Sequence, residues 1–170
     1  TKIERLDLST WDVSNVGDMS YMFYGCTLLK EVNLSTWNTS NVATMEAMFE
    51  GCKSLKSLDL TNFDTSNVTT MESMFDFCEV ATIILGENFE FVGTDGYFNS
   101  DYTWYNTRGT AFAYNEIPSN VADTYTTTAP VREKPTLAAA YDWHGYAVDI
   151  STITEITIQT PKGIPYTAQI

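Results

Sequence analysis

A period of 26 residues governs the first half of the chain. Residues 3–28 read IERLDLSTWDVSNVGDMSYMFYGCTL, 29–54 read LKEVNLSTWNTSNVATMEAMFEGCKS, and 55–80 read LKSLDLTNFDTSNVTTMESMFDFCEV. Eight positions are identical in all three units: Leu8/Leu34/Leu60, Ser14/Ser40/Ser66, Asn15/Asn41/Asn67, Val16/Val42/Val68, Met19/Met45/Met71, Met22/Met48/Met74, Phe23/Phe49/Phe75 and Cys26/Cys52/Cys78. A partial fourth unit, ATIILGENFEFV over Ala81 to Val92, keeps the apolar opening and then departs. A unit this short cannot bury an apolar face alone, so successive units must stack and share one core.

Two periodicities alternate within each unit. Leu6-Asp7-Leu8, Val32-Asn33-Leu34 and Leu58-Asp59-Leu60 alternate apolar and polar residues, which predicts a short strand with one buried face. Val16, Met19, Met22, Phe23 and Cys26 then fall at i, i+3, i+6, i+7 and i+10, which predicts a short helix. Ser14 and Asn15 suit its N-terminal cap, and Gly25 or Gly51 its exit. The expected fold over residues 1–92 is therefore an α/β solenoid, its strands stacked into a parallel sheet and its short helices forming the opposite wall.

Side chains at equivalent positions become ladders in such an array. All six Met and all three Cys occupy repeat positions. A packed apolar wall accounts for them, because the same face carries Val and Phe; the rival is a soft-metal site in which Met-x-x-Met pairs and thiolates hold Cu(I). An odd cysteine count and parallel side-chain vectors argue against disulfides, so Cys26, Cys52 and Cys78 are expected to be unpaired, inaccessible thiols. Trp11, Trp37 and Phe63 are expected to be buried at the corner of each unit, the alternative being an exposed strip for sugars. Asp7/Asn33/Asp59 and Asp12/Asn38/Asp64 form polar ladders. Stacked carboxylates can ligate Ca²⁺, but Asn in the middle unit weakens both ladders, and an Asx-type turn accounts for the second. No metal site is assigned.

The chain carries 22 Asp and Glu against 9 Lys and Arg, a formal net charge of -13 over 170 residues. The basic residues are scattered from Lys2 to Lys162 without a run, which excludes nucleic-acid binding and electrostatic docking on an anionic membrane. No stretch approaches the roughly 20 apolar residues of a spanning helix, so no direct membrane insertion is expected in this segment. Thr1 opens the chain with the repeat already under way at Ile3, as in a processed product or an excised piece. The single histidine, His144, excludes zinc sites built from several histidines and reads as a surface or turn residue beside Trp143 and Gly145.

Beyond Val92 the composition changes. Residues 97–125 hold eight aromatics, among them Tyr97, Tyr102, Trp104 and Tyr105, separated by Gly, Asn, Ser and Thr. Such segments predict hairpins or loops, and because a stacked array must cover its last unit, residues 93–125 are expected to form a cap. Carbohydrate binding by Tyr102, Trp104 and Tyr105 is the competing idea. Residues 126–136, with their Pro and charges, read as a linker. Alternation in YAVDI (Tyr146 to Ile150) and ITEITI (Ile153 to Ile158) predicts a small β-rich segment over 137–170, part of a truncated domain.

The string LDLSxWDxSNVxxMxxMFxGCxxLxxLDLS, covering residues 3 to about 92, resembles the 26-residue repeat of BspA-like leucine-rich repeat surface proteins of bacteria. Unit three departs from it with Phe77 in the glycine slot. The segment Trp104 to Thr126 also resembles the closing segment that follows this family's repeats. The resemblance implies a leucine-rich-repeat array followed by a β-rich C-terminal cap and tail, and a secreted or wall-attached protein implicated in adhesion. It implies no catalytic residue and no cofactor.

The expected function is extracellular recognition of a protein or glycan on a host or neighbouring cell, through exposed residues of the strand face: Arg5, Asp7, Glu31, Asn33, Ser57 and Asp59. The alternatives are a structural spacer or fibre segment displaying another domain, and an accessory module of a carbohydrate-active enzyme. Catalysis by this chain is not expected, since its visible carboxylates recur unit by unit whereas a catalytic pair is a local exception to a pattern.

Overall fold

The alternating segments of the repeat form strands β1 (Arg5–Asp7), β2 (Glu31–Asn33), β3 (Ser57–Leu60) and β4 (Thr82–Leu85). They belong to a computed structural model that describes residues 2–93, 98 and 101–131, together with the backbone of four later strands. β1 and β2 form a two-stranded parallel sheet in which Leu6 faces Val32 and Asp7 faces Asn33. β3 and β4 are also parallel, within a mixed five-stranded sheet of order β3-β4-β7-β5-β6 completed by β5 (Trp104–Tyr105), β6 (Ala111–Phe112) and β7 (Asp123–Thr126).

The predicted helices are absent: no described residue is helical. Their place is taken by successive turns whose amides are shared between neighbouring units. Met22, Tyr24 and Cys26 donate N–H bonds three residues back, to Met19, Tyr21 and Phe23, whereas Met19, Tyr21, Phe23 and Gly25 donate to the carbonyls of Thr44, Glu46, Met48 and Glu50 in the next unit. The pattern recurs one unit later, where Met45, Ala47, Phe49 and Gly51 donate to Thr70, Glu72, Met74 and Asp76. Positive φ angles fix it, at Tyr21, Ala47 and Ser73 and again four residues on at Gly25, Gly51 and Phe77. A residue in the left-handed region cannot continue a right-handed helix. Ser14 and Asn15 accordingly cap no helix: Asn41 and Asn67, at the position of Asn15, donate through their side chains to the carbonyls of Ser14 and Ser40, each 2.7 Å away.

The apolar stripe nevertheless forms a core wall. Phe23, Phe49 and Phe75 stack with centroids 5.3 and 5.9 Å apart, and Phe98 extends the column at 4.4 Å before Trp104 closes it at 4.5 Å. Leu8, Leu34, Leu60 and Leu85 line the other side, all buried. Trp37 and Phe63 are buried and stacked, but Trp11 is 54% exposed, contrary to expectation. Trp37 is stacked between Phe23, 6.3 Å away, and Phe63, 6.4 Å away.

The last step of the array is one residue shorter than the others. Leu60 pairs with Leu85, an offset of 25, because Val80 follows Cys78 by two residues and fills the buried slot that Leu29 and Leu55 occupy three residues after their cysteines. β7 then pairs antiparallel along the outer edge of β4, from Thr82↔Thr126 to Leu85↔Asp123.

All three cysteines are free, yet they are not alike: Cys52 and Cys78 are buried and Cys26 is partly exposed. Burial pushes the Cys52 thiol up to about 12 and that of Cys78 up to about 11, and the thiolate is the reactive form. Native protein treated with iodoacetamide at pH 8 is therefore expected to gain one label quickly, at Cys26, and the other two only on denaturation; peptide mass spectrometry would resolve the sites.

The chain divides at Pro130 into two units. In the second, β8 (Ala140–Tyr141) pairs antiparallel with β9 (Ala147–Val148), and β10 (Glu155–Gln159) with β11 (Pro165–Gln169). β9 and β10 fall in the two segments whose alternation predicts strands. His144, Tyr97 and residues 132–136 of the expected linker lie outside the described residues.

Candidate functional site

The strand face is built by the two-residue alternation of β1, β2 and β3. With Leu6, Val32 and Leu58 turned toward the core, Arg5, Asp7, Glu31, Asn33, Ser57 and Asp59 all stand exposed on the other side. Pairing puts Arg5 beside Glu31 and Asp7 beside Asn33, and the Arg5 guanidinium makes a 3.2 Å ion pair with Glu31. β2 and β3 lie side by side without a continuous backbone ladder, which carries the row on to Ser57 and Asp59. An open groove of about 570 Å³ runs over β1 and β2 between Arg5, Asp7, Glu31 and Asn33. The row ends at β4, where Thr82 and Ile84 stand opposite Ser57 and Asp59.

Both polar ladders close turns. Asp7, Asn33 and Asp59 each accept the N–H two residues on, from Ser9, Ser35 and Thr61 at 3.1, 3.1 and 2.9 Å. Asp12, Asn38 and Asp64 do the same for Ser14, Ser40 and Ser66 at 3.0, 3.1 and 2.9 Å, the Asx-type turn expected for that ladder. Hydrogen bonds from the Ser9 hydroxyl and amide hold the Asp7 carboxyl below its ordinary range, with a smaller contribution from Asn33. Ser14 and Ser66 act in the same way on Asp12 and Asp64. These carboxylates remain charged and oriented outward at neutral pH. Among the described residues no three His, Cys, Asp or Glu side chains converge on one point.

The aromatic alternative is not brought together as a surface. Trp104 is completely buried at the end of the Phe column, and its indole nitrogen has no hydrogen-bond partner among the described residues; Tyr105 is half-buried and Tyr102 exposed. An inaccessible indole cannot serve as a stacking platform, so the trio does not form the sugar-binding strip the sequence allows.

Sequence patterning missed the polar stitching behind this face. Thr39 and Thr65 are buried, and each hydroxyl both donates to and accepts from the next unit: Thr39 with the carbonyl of Asp64 at 2.9 Å and its N–H at 2.8 Å, Thr65 with those of Glu90 at 3.0 and 2.8 Å. The signal was Thr in units two and three where unit one has Val13.

A family model described as "Mycoplasma protein of unknown function, DUF285" matches residues 1–85, half of the chain. The chain belongs to the DUF285 family. The DUF285 match spans the three full units and ends at Leu85, the last residue of β4, so it takes in the whole strand face. No curated protein and no solved structure matches the chain.

Proposed function

We propose that this DUF285 chain is an extracellular recognition module whose units stack as a solenoid of the BspA-like kind, capped by the aromatic segment 93–125, and that its strand face binds a protein or glycan partner at a cell surface. The observation that carries the reading is the row Asp7, Asn33, Asp59 with its neighbours Arg5, Glu31 and Ser57: six exposed polar side chains on one face, the first three of them each closing a turn. A partner for this face is basic or reaches it through a cation, because the protein's net charge of -13 attracts such surfaces and repels acidic ones. The Phe column continuing through Phe98 to Trp104, and β7 lying on the edge of β4, support the capping role of residues 93–125.

Asn33 supplies the test, since it closes the same turn as its two neighbours without a charge. Asp7→Asn with Asp59→Asn should leave folding intact. On an array of glycans and basic matrix proteins, the parent is expected to capture at least one ligand, with association slowing as salt shortens the steering field from about 10 Å at 0.1 M. The double variant should associate more slowly and show a weaker salt dependence. Unchanged association by the folded double variant would sink the strand-face reading.

A further inference from the structure

The turn row carries one exception to the repeat. Units one and two place Gly25 (φ 66) and Gly51 (φ 72) where unit three places Phe77 (φ 54). A bulky side chain in the left-handed region is strained. Burial does not offset that strain, because the Phe77 ring is 74% exposed.

The ring stands at a trough of about 400 Å³, a size within the small-molecule range. Tyr24, also largely exposed, is its second aromatic, while Gly25 and Gly51 leave bare backbone between them: a Cβ on Gly51 would lie 3.5 Å from the Gly25 Cα. Glu50 and Lys53 supply its polar groups. Lys53 lines a second hollow as well, of about 590 Å³, shared with Lys30 and Lys56. Those two lysines are engaged by Glu4 and Glu79, at 2.8 and 2.5 Å, whereas Lys53 belongs to none of the ion pairs among the described residues. Lys53, the residue common to both hollows, is thus the cation that faces the two exposed aromatics of the trough.

We propose that the trough between Tyr24 and Phe77 binds a short carbohydrate bearing one carboxylate, its pyranose faces against the two aromatics and its carboxylate toward Lys53. Aromatic faces suit the C–H faces of a sugar ring, and glycine backbone permits close approach. Glu50 accepts from hydroxyls but would repel a second negative charge, and the overall charge disfavours a polyanion. None of these residues belongs to the strand face, so either site can fail without the other.

The whole chain, isotope-labelled, would be titrated by NMR with a glucuronic-acid-terminated glucose disaccharide and, in parallel, with cellobiose. The expected result is saturable shifts at Gly25, Gly51 and Lys53 with the acidic sugar, and weaker binding of cellobiose. Phe77→Gly restores the repeat's own residue, so it should raise the Tm while weakening the acidic sugar about tenfold. Loss of affinity in a stabilised protein cannot come from misfolding. Lys53→Gln should bind the two sugars alike. Absence of saturable shifts, equal binding of both sugars by the parent, or unchanged affinity in Phe77→Gly would overturn the proposal.

Discussion

Phe49→Ala is expected to destabilise the protein by about 3 to 5 kcal/mol, the range for deleting a buried aromatic side chain. The ring is fully buried, with Phe23 5.3 Å away on one side and Phe75 5.9 Å away on the other, nearly parallel to both. Its removal opens a gap in the middle of a column, where neither neighbour can close the space without leaving its own unit. Against a typical domain stability of about 5 to 15 kcal/mol this is a large fraction. Asn33→Ala, on the exposed face, removes one turn hydrogen bond to Ser35 and should cost about 1 kcal/mol or less. Urea unfolding of the two variants separates the outcomes through their midpoints. Equal losses would mean that the Phe column is not the core of the array.

An effect of similar size is expected from a single methyl group at Gly86. A Cβ there would fall 2.0 Å from the carbonyl oxygen of Thr61 and 2.9 Å from its carbon. Overpacking ordinarily costs about 1 to 3 kcal/mol because side chains rotate aside. Here the obstacle is backbone in the turn after β3, so Gly86→Ala should cost about 3 kcal/mol or more, at the top of that range or beyond it. The control is Gly17→Ala: the nearest atom to the added methyl is the Asn41 carbonyl oxygen at 3.9 Å, and units two and three already carry Ala43 and Thr69 at that position. Thermal unfolding should place Gly17→Ala at or slightly above the parent and Gly86→Ala far below it. A Gly86→Ala protein melting with the parent would refute the close approach of β4's end to Thr61.

Much of the strand row was legible because a fixed 26-residue offset leaves one register for the first two strands, and polar-apolar alternation names the buried face. Leu6 against Val32 and the exposure of Asp7 and Asn33 follow from that alone. The turn row was misread for a specific reason: inward residues spaced three and four apart serve a helix and a chain of turns equally well. What separates the two is positive φ at Tyr21, Ala47 and Ser73, residue types that give no sign of it. Gly25 and Gly51 did give a sign, but at a helix exit it would have looked the same. For Trp104 two readings stood open, a cap over the core's edge and a sugar platform, because an aromatic among turn residues can face either way; its full burial against Phe98 agrees with the first. The shortened last step was hidden by aligning Glu79 and Val80 with Lys53 and Ser54, when burial puts Val80 with Leu55.

That shortened step makes the junctions between units unequal in their freedom to change copy number. Each of the first two junctions has a 26-residue spacing, with amides on the turn row donating forward and Asn41 and Asn67 donating back, so the seam between units one and two has the same chemistry as that between two and three. Duplication or loss of a whole unit by recombination at those seams rebuilds the same joint. Beyond β3 it would not, because the next strand arrives one residue early, Gly86 is pressed against Thr61, and β7 already occupies the far edge of β4. A whole unit inserted or removed should therefore be accommodated only ahead of the third unit, whereas a change beyond it would require β4, Gly86 and β7 to be replaced together.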